Sequence, residues 1–314
     1  YYFTLIVSSI LFIIFFKFGK YDIKSNIFQR ILTIFFGYLL IPLVLSIPFY
    51  FSIYDLTFSN SFFEAISGFT STGFTVFENI KLIDQSLIIW RSSTQWIGGL
   101  YFLFSIIYLI DIYDDSFKKT LTNFISFNSS EILKQAAKIF ILYSSLTILI
   151  FIILNVFSIR TFDSLNLALT IISSGGFLPV NELSTIIKEN AQVIIFSLLM
   201  LFSFFSLFFS YNLIFLRKKN INFFYEDLHL IVYLVIVTSI FFLFFSFNYD
   251  FLINLFAIIS SMTNIGFSLS SGQENLNFIY LILVIIGGSF FSTSSGLRFI
   301  KIYSLFKFSL NQIL

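Results

Sequence analysis

The stretch NSFFEAISGFTSTGFT at positions 60–75 places a short apolar run after a helix-capping residue and ends in a glycine among hydroxyl residues. The same order recurs as DSLNLALTIISSGGFL at 163–178 and as NLFAIISSMTNIGFS at 254–268. The stretches align on one glycine each, namely Gly73, Gly175 and Gly266. From cap to glycine they run 13, 12 and 12 residues, whereas a membrane-crossing helix needs about 20. Each stretch therefore predicts a half-helix that enters a membrane and a loop that returns.

The composition indicates an all-helical integral membrane protein. Hydrophobic residues make up 58% of the 314 residues, charged residues make up 11%, and the mean hydropathy is +0.95, which is far more apolar than an ordinary soluble domain. The chain has no cysteine, so disulfides and thiolate metal sites are excluded. Its one histidine, His229, begins an apolar segment and is interpreted as an interfacial residue. A net charge of +2 does not indicate nucleic-acid binding.

Hydropathy predicts seven membrane-spanning segments, and the three short stretches follow the second, the fourth and the sixth of them. The predicted segments are 1–18, 30–51, 87–111, 136–158, 191–216, 228–248 and 276–310. Most Lys and Arg residues fall in loops that this order places on one side, near 17–30, 118–138, 217–219 and 298–307. By the positive-inside rule that side is cytoplasmic, so all three short stretches open to the outside.

The half-helices have the chemistry of a cation site. Asn60, Asp163 and Asn254 are predicted N-caps, because their side-chain oxygens can accept a free backbone N–H. The C-terminus of each half-helix then points into the membrane, where its unpaired carbonyls favour a cation. We expect extended backbone at 70–73, 171–175 and 263–266, whose carbonyl oxygens would replace the hydration shell of an alkali cation. The candidate ion-binding residues are Thr70, Ser71, Thr72, Gly73, Ser173, Ser174, Gly175, Thr263, Asn264, Ile265 and Gly266.

Two other functional classes compete with a pore. An enzyme is not indicated, because the sequence contains neither a Gly-rich phosphate loop after a strand nor an HExxH zinc motif. The second alternative is a non-conducting membrane scaffold, in which the glycines only break helices or allow close packing. For any single glycine this alternative stays open, but the threefold recurrence at matched spacing favours a pore.

The motifs resemble the Trk/Ktr/HKT cation-transporter superfamily, especially its bacterial TrkH branch. SGFTSTGFT at 67–75, followed by RSSTQWIGG at 91–99, is similar to the first pore repeat of that family. IISSGGF and SSMTNIGFS are similar to its second and third filters, and the resemblance covers nearly the whole chain in the right order. It implies potassium uptake through four pseudo-symmetric repeats, with potassium as the substrate and no cofactor in this chain. Transport of sodium, or of monovalent cations without selectivity, is the alternative.

Only three repeats are visible, so the chain is expected to be a fragment that is truncated at both ends and lacks the fourth repeat, with a truncated gene as the alternative. The predicted divisions are an N-terminal helix and cytoplasmic loop at 1–28, the first pore repeat at 29–112, a connector and the second repeat at 113–219, and the third repeat at 220–314. The resemblance also implies a multi-pass protein of a bacterial inner membrane, a homodimer, and a cytoplasmic nucleotide-binding regulatory subunit of the TrkA or KtrA type. The polar loop at 111–135 is a candidate contact for that subunit or a solvated connector.

The last predicted helix contains GGSFFSTSSG at 287–296, which has too many Gly and Ser residues for a continuous membrane helix. GGSFFSTSSGLRFIKIY at 287–303 resembles the Gly-rich break of the family's third repeat. The resemblance implies an intramembrane loop that obstructs the pore and moves for conduction, whereas a simple kink is the alternative. The candidate gate residues are Gly287, Gly288, Ser292, Thr293, Ser294, Ser295, Gly296 and Arg298. For Arg298, orientation by anionic lipid is the alternative.

Three residues near the first pore loop carry separate expectations. Glu64 lies in the first half-helix and resembles an acid of the family, where it either tunes the potential for the cation or pairs and anchors the helix. Trp90 and Arg91 are expected at the outer end of a helix. There, aromatic anchoring and a snorkelling side chain explain them without a role in the pore.

Overall fold

The computed structural model describes residues 1–18, 26–53, 55–110, 132–214, 225–245, 251–269 and 277–313. Within these residues the regular secondary structure is helix apart from one pair of two-residue strands, which confirms the all-helical fold. The first helices are α1 (Tyr2–Phe18), α2 (Ile27–Leu45), α3 (Ile47–Ser52), α4 (Phe58–Phe69), α5 (Gln85–Tyr108) and α6 (Ile132–Val156). They are followed by α7 (Thr161–Ile172), α8 (Asn190–Phe204), α9 (Leu207–Ile214), α10 (Tyr225–Phe245), α11 (Phe251–Met262), α12 (Asn277–Ile285) and α13 (Phe299–Ile313).

The three half-helices are α4, α7 and α11, and each has 12 residues. The predicted N-caps are wrong, because Asn60, Asp163 and Asn254 all lie inside the first turn or so of their helices. In α4 the cap is Thr57, whose hydroxyl accepts from the backbone N–H of Asn60 at 3.3 Å. Asp163 instead places a negative charge in the first turn of α7, where it complements the helix dipole.

Three segments of the described residues are long and apolar enough to cross a membrane, namely Ile27–Ser52, Lys134–Val156 and Tyr225–Leu243. Helix α5 has 24 residues, but its middle contains the polar run RSSTQ at 91–95. The remaining predicted segments are shorter helices or are interrupted. Polar side chains within a membrane face other protein rather than lipid, because lipid does not solvate them. We therefore expect the polar side of α5 to face protein near a pore.

The predicted span at 191–216 is wrong, since it is two helices rather than one. α8 ends at Phe204, Phe205 is extended with φ −79° and ψ 162°, and α9 begins at Leu207. The cause is tertiary: the backbone N–H of Ser206 donates to Asp227, and that of Leu207 donates to the carbonyl of Phe291. Distant partners thus replace the hydrogen bonds that a continuous helix would make.

The last helix is interrupted where the sequence predicts a break. α12 ends at Ile285, and α13 begins at Phe299. Between them, β1 (Ile286–Gly287) pairs in parallel with β2 (Leu297–Arg298). The strand pair closes the base of the loop at 287–296, which we call the interrupting loop.

The half-helices lie at the centre of the fold. α4 packs against α2 and α5, α7 packs between α5 and α6, and α11 packs against α8 and α12. Leu146, Ile171 and Phe196 are fully buried in the resulting core. The loops that follow α4, α7 and α11 therefore meet, as their mutual hydrogen bonds confirm.

Candidate cation pore

The chain turns in the same way after each half-helix. We define pore loops 1, 2 and 3 as residues 70–75, 173–178 and 263–268. The second residue of each loop has a left-handed backbone: φ is 53° at Ser71, 53° at Ser174 and 60° at Asn264. The next backbone N–H then returns to the half-helix, with N···O distances of 2.8–3.2 Å. Three such matched turns make the loops structurally equivalent.

This equivalence corrects the glycine alignment. Gly73 and Gly266 each lie four residues after the last residue of their half-helix, and the residue at that place in pore loop 2 is Gly176, not Gly175. Gly175 is equivalent to Thr72 and Ile265, since all three donate the returning hydrogen bond. The dipeptide at 175–176 leaves the sequence alignment ambiguous by one residue, and the helix ends resolve it.

The expected extended runs also begin later than predicted. Helix α7 continues through Ile172, so the backbone at 171–172 is helical. Thr70 and Ser173 are turn residues at the helix ends, with ψ close to 0°. The backbone of Thr263 likewise still donates to the last turn of its half-helix, to the carbonyl of Ile259. The hydroxyls of these first loop residues donate back to half-helix carbonyls rather than to free space.

The second residue of each pore loop reaches the neighbouring segment with its side chain. The Ser71 hydroxyl donates to the carbonyl of Ser173 at 3.1 Å, and the Ser174 hydroxyl donates to the carbonyl of Thr263 at 2.6 Å. Asn264 continues the series, because its amide donates to the carbonyl of Ser295 at 3.3 Å. The three pore loops and the interrupting loop are thus joined in sequence by side chains at one repeated position.

Glycines without a side chain allow the pore loops to approach each other closely. A Cβ atom on Gly176 would lie 3.0 Å from the carbonyl oxygen of Ile265 and 3.5 Å from the Cα of Gly73. Gly73 and Gly266 have φ values of 83° and 78°, a region that side-chain-bearing residues rarely adopt. The steric requirement therefore applies to Gly176, and the backbone requirement applies to Gly73 and Gly266.

A buried ion pair lies behind pore loop 1. Arg91 and Glu64 have 1% and 0% of their side-chain surface exposed, and Arg91 Nε lies 2.7 Å from Glu64 Oε1. Glu64 also accepts from the hydroxyl of Thr75 and from the backbone N–H of Val76 at 3.0 Å. The expectation of a snorkelling Arg91 is wrong, because the side chain faces the pore loop. For Glu64, the pairing alternative is the one present.

Arg91 also touches pore loop 2. Its Nη1 donates to the carbonyl of Leu178 at 3.4 Å, and its guanidinium lies over the ring of Phe177 at 4.3 Å. Its Nη2 donates to the hydroxyl of Thr75 at 3.1 Å. One buried cation therefore holds the outer ends of two neighbouring pore loops. Trp90, in contrast, donates its indole N–H to the carbonyl of Leu45, which fixes α5 against α2.

Gln95 lies one helical turn after Arg91 on the same face of α5, where it is fully buried and supports pore loop 2. With its amide oriented to satisfy both ends, the nitrogen donates to Thr170, and the oxygen accepts from the backbone N–H groups of Gly176 and Phe177, each at 3.2 Å. Sequence reasoning missed this residue. The available signal was the polar run at 91–95 inside an otherwise apolar helix, since buried polar side chains need partners.

The interrupting loop lies next to pore loops 1 and 2. The Thr293 hydroxyl donates at 2.7 Å to the carbonyl of Ile172, the last residue of α7. Residues of the interrupting loop and of both pore loops line one cavity of about 140 Å³, with Thr70, Ser71, Ser173, Thr293, Ser294 and Ser295 among its polar walls. The loop therefore occupies the space toward which the half-helix carbonyls point.

Arg298 binds the interrupting loop itself. Its Nη1 donates to the carbonyls of Ser289 and Ser294 at 3.1 and 2.9 Å and to the hydroxyl of Ser292 at 3.2 Å. Of the predicted gate residues, Gly287 and Gly288 lie where a Cβ would meet backbone atoms, and Gly296 has a φ of 81°. The loop geometry thus depends on the arginine and the three glycines together.

Comparisons with known proteins agree with this geometry. A cation transporter of Methanocaldococcus jannaschii, itself described as uncharacterized, is 26% identical over 88% of this chain and 58% of its own length. The Trk system potassium uptake protein TrkH of Halomonas elongata is 24% identical over 82% of the chain and 56% of its own length. The crystal structure of the potassium transporter TrkH from Vibrio parahaemolyticus superposes with a TM-score of 0.79, at 20% identity. The chain is TrkH-like in sequence and fold.

The structural match covers 93% of the TrkH-like chain and 63% of the Vibrio protein. The chain also spans little more than half the length of the Methanocaldococcus and Halomonas relatives. No protein-family profile matches it. The relatives and the apolar helices support a multi-pass membrane protein, and the predicted resemblance to the TrkH branch is confirmed. The candidate regulatory contact at 111–135 lies mostly outside the described residues.

Proposed function

We propose that the protein to which this chain belongs takes up potassium through a pore formed by its pore loops. The observation that carries the proposal is the set of three equivalent loops, each following a half-helix of 12 residues. Relatives described as potassium uptake proteins support the choice of ion. Sodium or another monovalent cation remains the alternative within the same architecture.

The ion would meet carbonyl oxygens rather than side chains. The hydroxyls of Ser71 and Ser174 donate to the carbonyls of Ser173 and Thr263, so these side chains brace the loops and the other loop carbonyls are left for the ion. The negative ends of three half-helix dipoles add a favourable potential for a cation at the centre. Backbone carbonyls at fixed spacing can replace a hydration shell at low cost. We retain the predicted ion-binding residues, with Gly176 added at the position of Gly73 and Gly266.

The interrupting loop is proposed as the gate. Its hydroxyls face the cavity beneath pore loops 1 and 2, and Thr293 occupies the carbonyl of Ile172 that an ion would otherwise approach. Conduction then requires the loop to leave this place. The two glycines at 287–288 and Gly296 would permit that change, because their backbone is less restricted than that of other residues.

The remaining assignments are proposed from the likeness to Trk systems. The intact protein would have four repeats, of which this chain supplies those divided at 29–112, 113–219 and 220–314. It would lie in a bacterial inner membrane as a homodimer and bind a cytoplasmic nucleotide-binding regulatory subunit. The name Trk system, carried by several relatives, fits a transporter of more than one component.

The function is tested by growth of a potassium-uptake-deficient bacterium that expresses the complete gene. We expect the wild type to restore growth at limiting potassium and Gly266→Ala to lower rubidium uptake by about tenfold. A Cβ at Gly266 would touch no other atom within 4 Å, so the loss comes only from the φ of 78°. That strain costs roughly 1–2 kcal/mol for a residue with a side chain.

Ser268→Ala is the matched control, since Ser268 is exposed in the same pore loop and the change removes only a hydroxyl. It should transport like the wild type at equal expression. A wild-type protein that reaches the membrane without restoring growth would overturn potassium uptake. If the wild type restored growth and Gly266→Ala took up rubidium as fast as the wild type, pore loop 3 would not be part of the filter.

A further inference from the structure

Two neighbouring carboxylates at the start of α10 lie buried against the interrupting loop. Glu226 is 7% exposed and Asp227 is 3% exposed. The backbone N–H of Phe290 donates to Glu226 Oε1 at 2.7 Å. Burying two carboxylates side by side is unfavourable unless each is well satisfied, so packing alone does not explain them. Their hydrogen bonds indicate what they hold.

Asp227 holds the break between α8 and α9. Its Oδ1 accepts from the backbone N–H of Ser206 and its Oδ2 accepts from the Ser206 hydroxyl, both at 2.8 Å. The Ser206 hydroxyl also accepts from the backbone N–H of Phe209, as an N-cap does. The acid therefore fixes the residue at which the second helix segment restarts.

The α8–α9 break and the interrupting loop satisfy each other's backbone groups. The N–H of Ser289 donates to the carbonyl of Phe204 at 3.0 Å, and the N–H of Ser294 donates to the carbonyl of Ser203 at 3.0 Å. In return, the N–H of Leu207 donates to the carbonyl of Phe291 at 2.9 Å. Two interrupted helices from different repeats thus form one hydrogen-bonded unit. Asp227 binds the α8–α9 break of this unit, and Glu226 binds the interrupting loop.

The first turns of α10 also contact the helix that follows the interrupting loop. The rings of His229 and Tyr303 are 5.0 Å apart, and those of Tyr233 and Phe299 are 5.7 Å apart. A displacement of this end of α10 would therefore move the interrupting loop, the α8–α9 break and the start of α13.

We propose that Glu226 and Asp227 are positioning residues that fasten the interrupting loop and the α8–α9 break to the first turn of α10, so that moving this turn releases the loop. The proposal rests on the proposed function of the loop as a gate. The preceding segment carries Arg217, Lys218 and Lys219, which places this end of α10 on the cytoplasmic side by the positive-inside rule. We call Glu226 and Asp227 the clamp. Through the clamp, a movement on the cytoplasmic side would be transmitted to the interrupting loop in the pore.

This chain contains no cysteine, so one reporter thiol can be placed in it, and any cysteine elsewhere in the complete protein is first replaced by serine. A single reporter, Ser292→Cys, is introduced into the complete protein at a side chain that is 2% exposed, and its reaction with a water-soluble maleimide is timed in inverted membrane vesicles. In this background we compare Glu226→Ala, Glu226→Gln and the control Glu182→Ala, which truncates an exposed carboxylate after pore loop 2.

Glu226→Ala should speed labelling by about tenfold, because it removes the acceptor of the Phe290 backbone N–H from the closed loop. Glu226→Gln keeps an acceptor for Phe290 and should label more slowly than Glu226→Ala, and Glu182→Ala should label at the parental rate. Should Glu226→Ala fail to fold, Asp227→Asn is measured in its place and should label several-fold faster than the parent.

Labelling at the parental rate in folded Glu226→Ala, or in its substitute Asp227→Asn, would overturn the proposal. Equal acceleration by Glu182→Ala would overturn it as well. Because labelling needs no ion flux, failure of the proposed function is separately visible. A parent that restores no potassium uptake but shows the expected labelling pattern would overturn the transport assignment and support the clamp.

Discussion

Replacing Arg91 with methionine is expected to lower the free energy of unfolding by about 3–5 kcal/mol, because it leaves the Glu64 carboxylate buried without its partner. Glu64 is fully buried, and its other contacts are one hydroxyl and one backbone N–H. The change also removes the guanidinium from the carbonyl of Leu178 and from the ring of Phe177. Thermal unfolding of the purified protein in detergent measures the loss.

A double variant separates the uncompensated charge from lost packing. Glu64→Gln combined with Arg91→Met should unfold at a higher temperature than Arg91→Met alone, since no buried charge remains and the glutamine can still accept from Val76. The matched control is Arg160→Met, at an exposed arginine before α7, which should change stability by less than about 0.5 kcal/mol. A double variant no more stable than Arg91→Met would show that the ion pair is not the source of the stability.

The sequence was sufficient for the features that depend on local pattern. Short apolar runs followed by a glycine predicted three half-helices, and all three are present as α4, α7 and α11, although the N-caps predicted for them are wrong. The Gly- and Ser-rich run at 287–296 predicted the interruption between α12 and α13. In both cases the residues themselves disfavour a long helix, so no distant partner is needed to explain the outcome.

The features that the sequence did not predict depend on partners far along the chain. The run FSFFSLFFS at 202–210 reads as continuous membrane helix, and it breaks because Phe291 and Asp227 bind its backbone. The burial of Arg91 depends on Glu64, 27 residues earlier, and Gln95 acquires its role only when pore loop 2 lies against it. Such contacts follow from the tertiary arrangement and leave no periodic signal.

The side chains that join the pore loops suggest why the chain tolerates left-handed backbone at non-glycine residues. Ser71 and Ser174 accept this conformation, and each donates its hydroxyl to the next segment. The hydrogen bond offsets a strain of roughly 1–2 kcal/mol. Asn264 tolerates the left-handed region better than most residues and has the longer reach needed for Ser295. The conformation of each pore loop is therefore tied to that of its neighbour.

Gly176→Val is expected to lower rubidium uptake by on the order of a hundredfold, which corresponds to roughly 2.7 kcal/mol. A Cβ at this position would lie 3.0 Å from the carbonyl oxygen of Ile265, so a branched side chain must displace that carbonyl. Because the loops are joined to one another, the displacement also disturbs the facing Gly73. The protein should still fold, since Gly176 is only half-buried. Uptake is measured in cells at matched expression, with unfolding temperature measured on the purified protein.

Gly175→Ala is the comparison that tests the register of pore loop 2. A Cβ at Gly175 would overlap the Gln95 amide, so this change should lower the unfolding temperature, and Gln95→Ala should relieve the overlap in the double variant. Gly176→Val should gain nothing from Gln95→Ala, because its obstacle is the carbonyl of Ile265. If Gly175→Ala abolished uptake without loss of stability while Gly176→Val transported normally, Gly175 would be the filter glycine and the equivalence drawn from the helix ends would be wrong.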